Sequence, residues 1–134
     1  MDRAPDAASP RPFFTIGHST RPIGEFVDCL RESAVALVVD VRTVPRSRTN
    51  PQYNRDALPA TLDAIGVGYV HEAALGGLRP RARDVAPARN GYWENASFHN
   101  YADYALSPAF GEGFARLRAL GHAQRCTVMC SEAV

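Results

Sequence analysis

The sequence predicts an α/β fold, a single three-layer domain with a mainly parallel sheet of about four strands and helices on both faces. Three observations carry that prediction. Short β-prone apolar runs alternate with segments of helical spacing. One of those runs, residues 35–41, is an almost unbroken β-branched and aliphatic stretch, as expected of a strand covered on both faces of a parallel sheet. Finally, 134 residues at 46% hydrophobic content suffice for one buried core and leave no room for a second.

Taken in order, residues 1–12 are polar and proline-bearing and read as a disordered leader, so the domain spans 13–134. Residues 13–16 are a short apolar strand closed by Gly17. Thr20 and Pro22 then open a helix whose apolar face is Ile23, Phe26, Val27 and Leu30. After the strand at 35–41, residues 42–52 hold two prolines, a serine, two threonines and an asparagine and form a loop. Leu58, Leu62 and Ile65 mark a second helix, capped by Asp56, with Pro59 in its first turn and its end at Gly66. Residues 67–71 are the third strand. The stretch 74–95, with Gly76-Gly77, four arginines, Tyr92 and Trp93, has no periodicity and is long for a connector. A short helical stripe follows at Phe98, Tyr101, Ala102 and Ala105. Ser107-Pro108 opens the next helix, with Phe110, Phe114 and Leu117 on one face and Gly121 as its stop. Residues 126–130 are the last strand.

Composition excludes several classes. No apolar run approaches the ~18 residues of a membrane span. Three cysteines without a Cys-x-x-Cys pair indicate neither a disulfide framework nor a structural zinc, which fits a cytoplasmic protein. A net charge of +1 argues against broad polycationic adhesion. All 15 basic residues are arginine, the side chain that forks onto phosphate or carboxylate.

In parallel α/β sheets, ligand sites form at the carboxyl ends of the strands. That rule gathers His18 and Ser19, Asp40 and Arg42, His71 and Glu72, and Cys130 and Glu132 at one edge. Asp40 interrupts an apolar strand and needs a buried partner; Arg42, two residues on and on the same face, is the obvious one. Cys130 ends its strand where nucleophiles of strand-loop-helix enzymes stand, whereas Cys126 and Cys29 read as core. Arg42, Arg46 and Arg48, with Arg79, Arg81, Arg83 and Arg89 in the long loop, are placed to rim the same hollow. Tyr92 and Trp93 are available there for stacking.

The same residues resemble a known family. Thr15-Ile-Gly-His-Ser19, Asp40-Val-Arg42 followed by Pro45 and Ser47, Leu75-Gly-Gly77 and Cys130-Ser-Glu132 are similar, in order and spacing, to motifs of the domain of unknown function 488 family. The resemblance runs from Phe13 to the end. It implies an α/β domain with a polar site built from these motifs, and it supplies no reaction and no cofactor. Members of the family typically continue past Cys-x-Glu into a helix near a Cys-His-Arg motif, whereas this chain stops at Val134. The resemblance therefore implies a domain incomplete at its C-terminus, with an inactive fragment as the alternative to a working enzyme.

The leading expectation is an enzyme acting on a phosphorylated or nucleotide-like substrate. Cys130 would be nucleophile or ligand, His18 acid or base, and Asp40 the group that orients Arg42. Arg42 and Arg46 would hold the anion, with Ser19, Glu132, Gly76 and Gly77 completing the substrate contacts. Two other classes compete. One is a nucleic-acid-associated binding module that uses the arginine loops and Trp93 without catalysis. The other is a divalent-metal site built from His18, Asp40, His71 and Glu132. Oligomeric state is not legible.

Overall fold

The protein is described by a computed structural model in residues 13–77, 100 and 102–131. Four strands form one parallel sheet: β1 (Phe14–Gly17), β2 (Leu37–Asp40), β3 (Gly68–His71) and β4 (Cys126–Cys130). Their order across the sheet is β1-β4-β2-β3. Helices α1 (Ile23–Glu32) and α2 (Leu58–Asp63) join the first three strands, and α3 (Pro108–Ala123) precedes β4. The predicted α/β class and parallel sheet are what the chain forms; β4 keeps its expected bounds, β1 is shifted by one residue to include Gly17, and β2 and β3 are shorter than their apolar runs.

The sheet's two faces follow from the alternation of side chains along each strand. Ile16, Val38 and Met129 face one way and pack under Phe26 and Leu30 of α1 and Leu58 and Leu62 of α2. Leu37, Val39 and Cys126 face the other way, under Leu117 of α3 and Leu75. β2 is buried along its whole length because it lies inside the sheet and is covered twice. The chain moves across the sheet in one direction from β1 to β3 and then turns back to insert β4 between β1 and β2. With right-handed crossovers, that reversal puts the returning helix on the opposite face.

Several helix boundaries differ from expectation. Pro22, not Thr20, caps α1, and Ala57, not Asp56, caps α2; neither cap makes a side-chain hydrogen bond. Ser107 does cap α3, its hydroxyl accepting from the Phe110 N–H. Gly121 does not stop that helix, which runs on to Ala123. Its hydrogen serves packing instead, since a Cβ there would stand 2.2 Å from the Phe13 ring. Phe114, assigned to the apolar face, is 49% exposed. Residues 100 and 102–104 are helical, within the expected short stripe. The leader, the long-loop residues Arg79, Arg81, Arg83, Arg89, Tyr92 and Trp93, and Glu132 lie outside the described residues. Among the described residues, no helix is long and apolar enough to cross a membrane.

Candidate functional site

Just past the carboxyl ends of β1, β2 and β4 lies a cleft of about 800 Å³. Its position follows from register. Gly17 pairs with Cys130 and Asp40 with Met129, so the residues that follow β1 and β2 emerge beside the end of β4. The His18 N–H donates to the Cys130 carbonyl and the Ser19 N–H to that of Ser131, carrying the ladder past the strands. Ser19 closes this passage in the left-handed region, at φ 45°, which non-glycine residues seldom occupy.

Asp40 is fully buried and makes four hydrogen bonds. Its Oδ1 accepts from the Arg42 N–H at 3.0 Å and from Arg42 Nε at 2.9 Å, and its Oδ2 accepts from Arg42 Nη2 at 2.8 Å and from the Tyr69 hydroxyl. A carboxylate has about four acceptor positions, and these four are filled. Burial and the Asp40 charge push the Tyr69 phenol pKa upward, so this hydroxyl stays a donor. The predicted Asp40–Arg42 pair is therefore present as a forked ion pair with both partners inside the protein.

Arg42 in turn donates from Nη2 to the Tyr53 carbonyl, and its Nη1 stands 3.4 Å from His18 Nε2. His71 donates from Nε2 to the Arg42 carbonyl at 2.6 Å. Of the five guanidinium N–H groups, one on Nη1 has no partner among the described residues.

His18 is 3% exposed and stacks on the Tyr53 ring at 4.5 Å between centroids. Nδ1 lies 2.8 Å from the Ser19 carbonyl, which only accepts, so the proton belongs on Nδ1 and the Nε2 lone pair faces Arg42. Burial, and then the Arg42 charge, lower the imidazole pKa from its ordinary 6.5 against the opposing Ser19 bond and Asp40 charge. Beneath it Tyr53 is fully buried, its hydroxyl donates to the Arg21 carbonyl at 2.7 Å, and desolvation pushes its pKa up to about 12.

The His18 shift has a consequence for stability. As pH falls through 6.5 the unfolded chain takes up the proton before the folded one, so the unfolded state binds more protons and stability falls. The contribution of neutral His18 is thus present above 6.5 and lost between 6.5 and the lower folded value. A titration of the His18 ring by NMR is expected to show a midpoint below 6.5, with His18→Gln removing that part of the acid-side loss in urea unfolding. A midpoint at or above 6.5 contradicts the geometry.

The cleft is lined by His18, Ser19, Arg42, Arg46, Gly76, Gly77 and Cys130 among the expected site residues. Asp40 does not reach it and lies beneath Arg42. By strand alternation Cys130 leaves the sheet on the α3 face with Cys126 and Val128, while His18 leaves on the face of Ile16 and Met129. Both nevertheless border the cleft, because it lies beyond the strand ends. Cys126 is core, its thiol pKa raised by burial.

Glu72 departs from the edge cluster altogether. It accepts a fork from Arg116 of α3, at 2.9 and 2.7 Å, which lowers its pKa. Alternation sets it on the face of Val70, under α3, where it is buried and meets Arg116. Among the described residues, no three His, Cys, Asp or Glu side chains converge as a metal site. The filled Asp40 oxygens and the His71 bond to the Arg42 carbonyl are unsuited to the metal set His18, Asp40, His71 and Glu132.

Residue-by-residue reading missed Tyr53, Tyr69, Thr43 and Asn50. Tyr69 left no signal in the sequence, because only the register that sets it beside Val38 brings it onto the face of Asp40. Thr43 hydrogen-bonds through its hydroxyl to the Gly77 carbonyl, and that 34-residue separation left no trace in the sequence.

A family model described as "Domain of unknown function DUF488" matches residues 22–134, most of the chain. The chain belongs to the DUF488 family. Within this DUF488 domain the match takes in Asp40, Arg42, Arg46, Gly76, Gly77 and Cys130, while His18 and Ser19 precede it. No curated protein and no solved structure matches the chain.

Proposed function

We propose that the cleft is the site of an enzyme acting on a phosphorylated or nucleotide-like small molecule. One observation carries the reading: the cleft brings a thiol, a tautomer-fixed imidazole and two arginines together, with no carboxylate in its described lining. Arg46 makes no ion pair among the described residues, which supports a role in holding an anion. Arg42 is neutralised by Asp40 and contributes its remaining Nη1 donor in a fixed orientation. Asp40 acts as a positioning residue, His18 as proton acceptor or donor, and Cys130, half-buried at the end of β4, as nucleophile or ligand.

The test is alkylation of Cys130 by iodoacetamide, resolved by mass spectrometry against Cys29 as internal reference. Adenosine monophosphate at ten times its dissociation constant is expected to slow labelling of Cys130 about tenfold by mass action while sparing Cys29. Arg46→Ala should weaken that protection. Unchanged labelling at saturating nucleotide rejects the site. The nucleic-acid reading predicts instead steeply salt-dependent binding of single strands that Cys130→Ala leaves intact.

A further inference from the structure

A second cleft of about 640 Å³ adjoins the first, lined by Val44, Pro45, Arg46, Asn54, Arg55 and Asp56. The two share Val44 and Arg46. A tight turn builds the divide: the Arg46 N–H donates to the Val44 carbonyl at 2.9 Å, and the Arg55 N–H to that of Pro45 at 3.0 Å. Across it, the Ser47 N–H of the first cleft donates to Asn54 Oδ1 of the second at 2.6 Å. Arg46 thus stands at the junction, reachable from both sides.

Resting on the function proposed above, we infer that the ligand spans both clefts, as a phosphodiester with its bridging phosphate at Arg46 and one nucleoside unit on each side. Size favours this, since ligand clefts of about 300–1,000 Å³ each hold one drug-sized group, and here two adjoin. The second cleft's chemistry specifies a neutral unit. Asn54 keeps its amide N–H₂ as donor because its oxygen is engaged, Arg55 donates, and the Asp56 carboxylate accepts. A second phosphate would meet Asp56, whereas a base edge or a ribose hydroxyl offers both a donor and an acceptor. Arg55 and Asp56 are exposed and make no ion pair among the described residues, so their removal leaves the core untouched.

The experiment is calorimetric titration of the full chain with adenosine monophosphate, the dinucleotide adenylyl-adenosine, and an adenosine hexanucleotide. The dinucleotide is expected to bind about tenfold more tightly than the mononucleotide, as one or two added charge-assisted contacts would give. The double variant Arg55→Ala/Asp56→Ala should erase that advantage and leave mononucleotide affinity unchanged. A hexanucleotide equal to the dinucleotide points to a free dinucleotide as ligand, and a tighter one to a strand. If mono- and dinucleotide bind alike, or if the double variant weakens both equally, the two-cleft ligand is wrong while the first cleft's function stands. If neither binds, both fall.

Discussion

Asp40→Ala is expected to destabilise the domain by about 3–5 kcal/mol in equilibrium urea unfolding, the cost of leaving a buried charge without its partner. The Arg42 side chain is only 5% exposed, so water cannot replace the carboxylate at its fork. The same substitution strips acceptors from the Arg42 N–H and the Tyr69 hydroxyl, each a buried or half-buried donor. Against a total stability of about 5–15 kcal/mol for a domain, that loss is severe. Ion-pair burial itself contributes little net stability, because desolvation opposes the attraction. The paired replacement Asp40→Leu/Arg42→Met should therefore recover much of the loss. A loss below about 1 kcal/mol for Asp40→Ala would mean that the pair is hydrated in solution.

The pair also shows what sequence could and could not disclose. An acid within an apolar strand and an arginine two residues on share one face, and burial forces them together, so this contact was legible from spacing alone. The four strands were legible for the same reason, as runs whose only stable place is inside a covered sheet. What remained hidden depends on register between distant segments or on loop geometry. Tyr69 reaches Asp40 only because β3 pairs with β2 in the register that sets Tyr69 beside Val38. Glu72 lies on the Val70 face of β3, and only the packing of α3 there shows that its partner is Arg116, 44 residues away. Cys130 and His18 leave opposite faces of the sheet, which alternation would have shown once the strand order was known.

The strand order also explains why the site depends on backbone contacts as much as on side chains. Val41 and Thr43 continue β2 into the cleft, and the Gly76-Gly77 turn lies directly against them. Backbone there has no rotamers with which to absorb a change.

Gly76→Ala is accordingly expected to cost about 3 kcal/mol, at the upper end for overpacking, and to abolish the nucleotide binding proposed for the cleft. A Cβ at Gly76 would stand 2.2 Å from the Val41 carbonyl oxygen, 2.5 Å from Thr43 Oγ1 and 2.8 Å from the Thr43 N–H nitrogen. Its backbone angles, φ −79° and ψ 164°, suit any residue, so the penalty is purely one of contact. Two of the three obstructing atoms are backbone, and moving them displaces the stretch that presents Arg42. Gly77→Ala is the control: a Cβ there meets nothing within 4 Å, so stability should change by less than about 0.5 kcal/mol. Urea unfolding and calorimetric binding on the two variants separate the effects. If Gly76→Ala matched Gly77→Ala in both, the turn would not be seated on β2 as the structure has it, and the cleft would lose that wall.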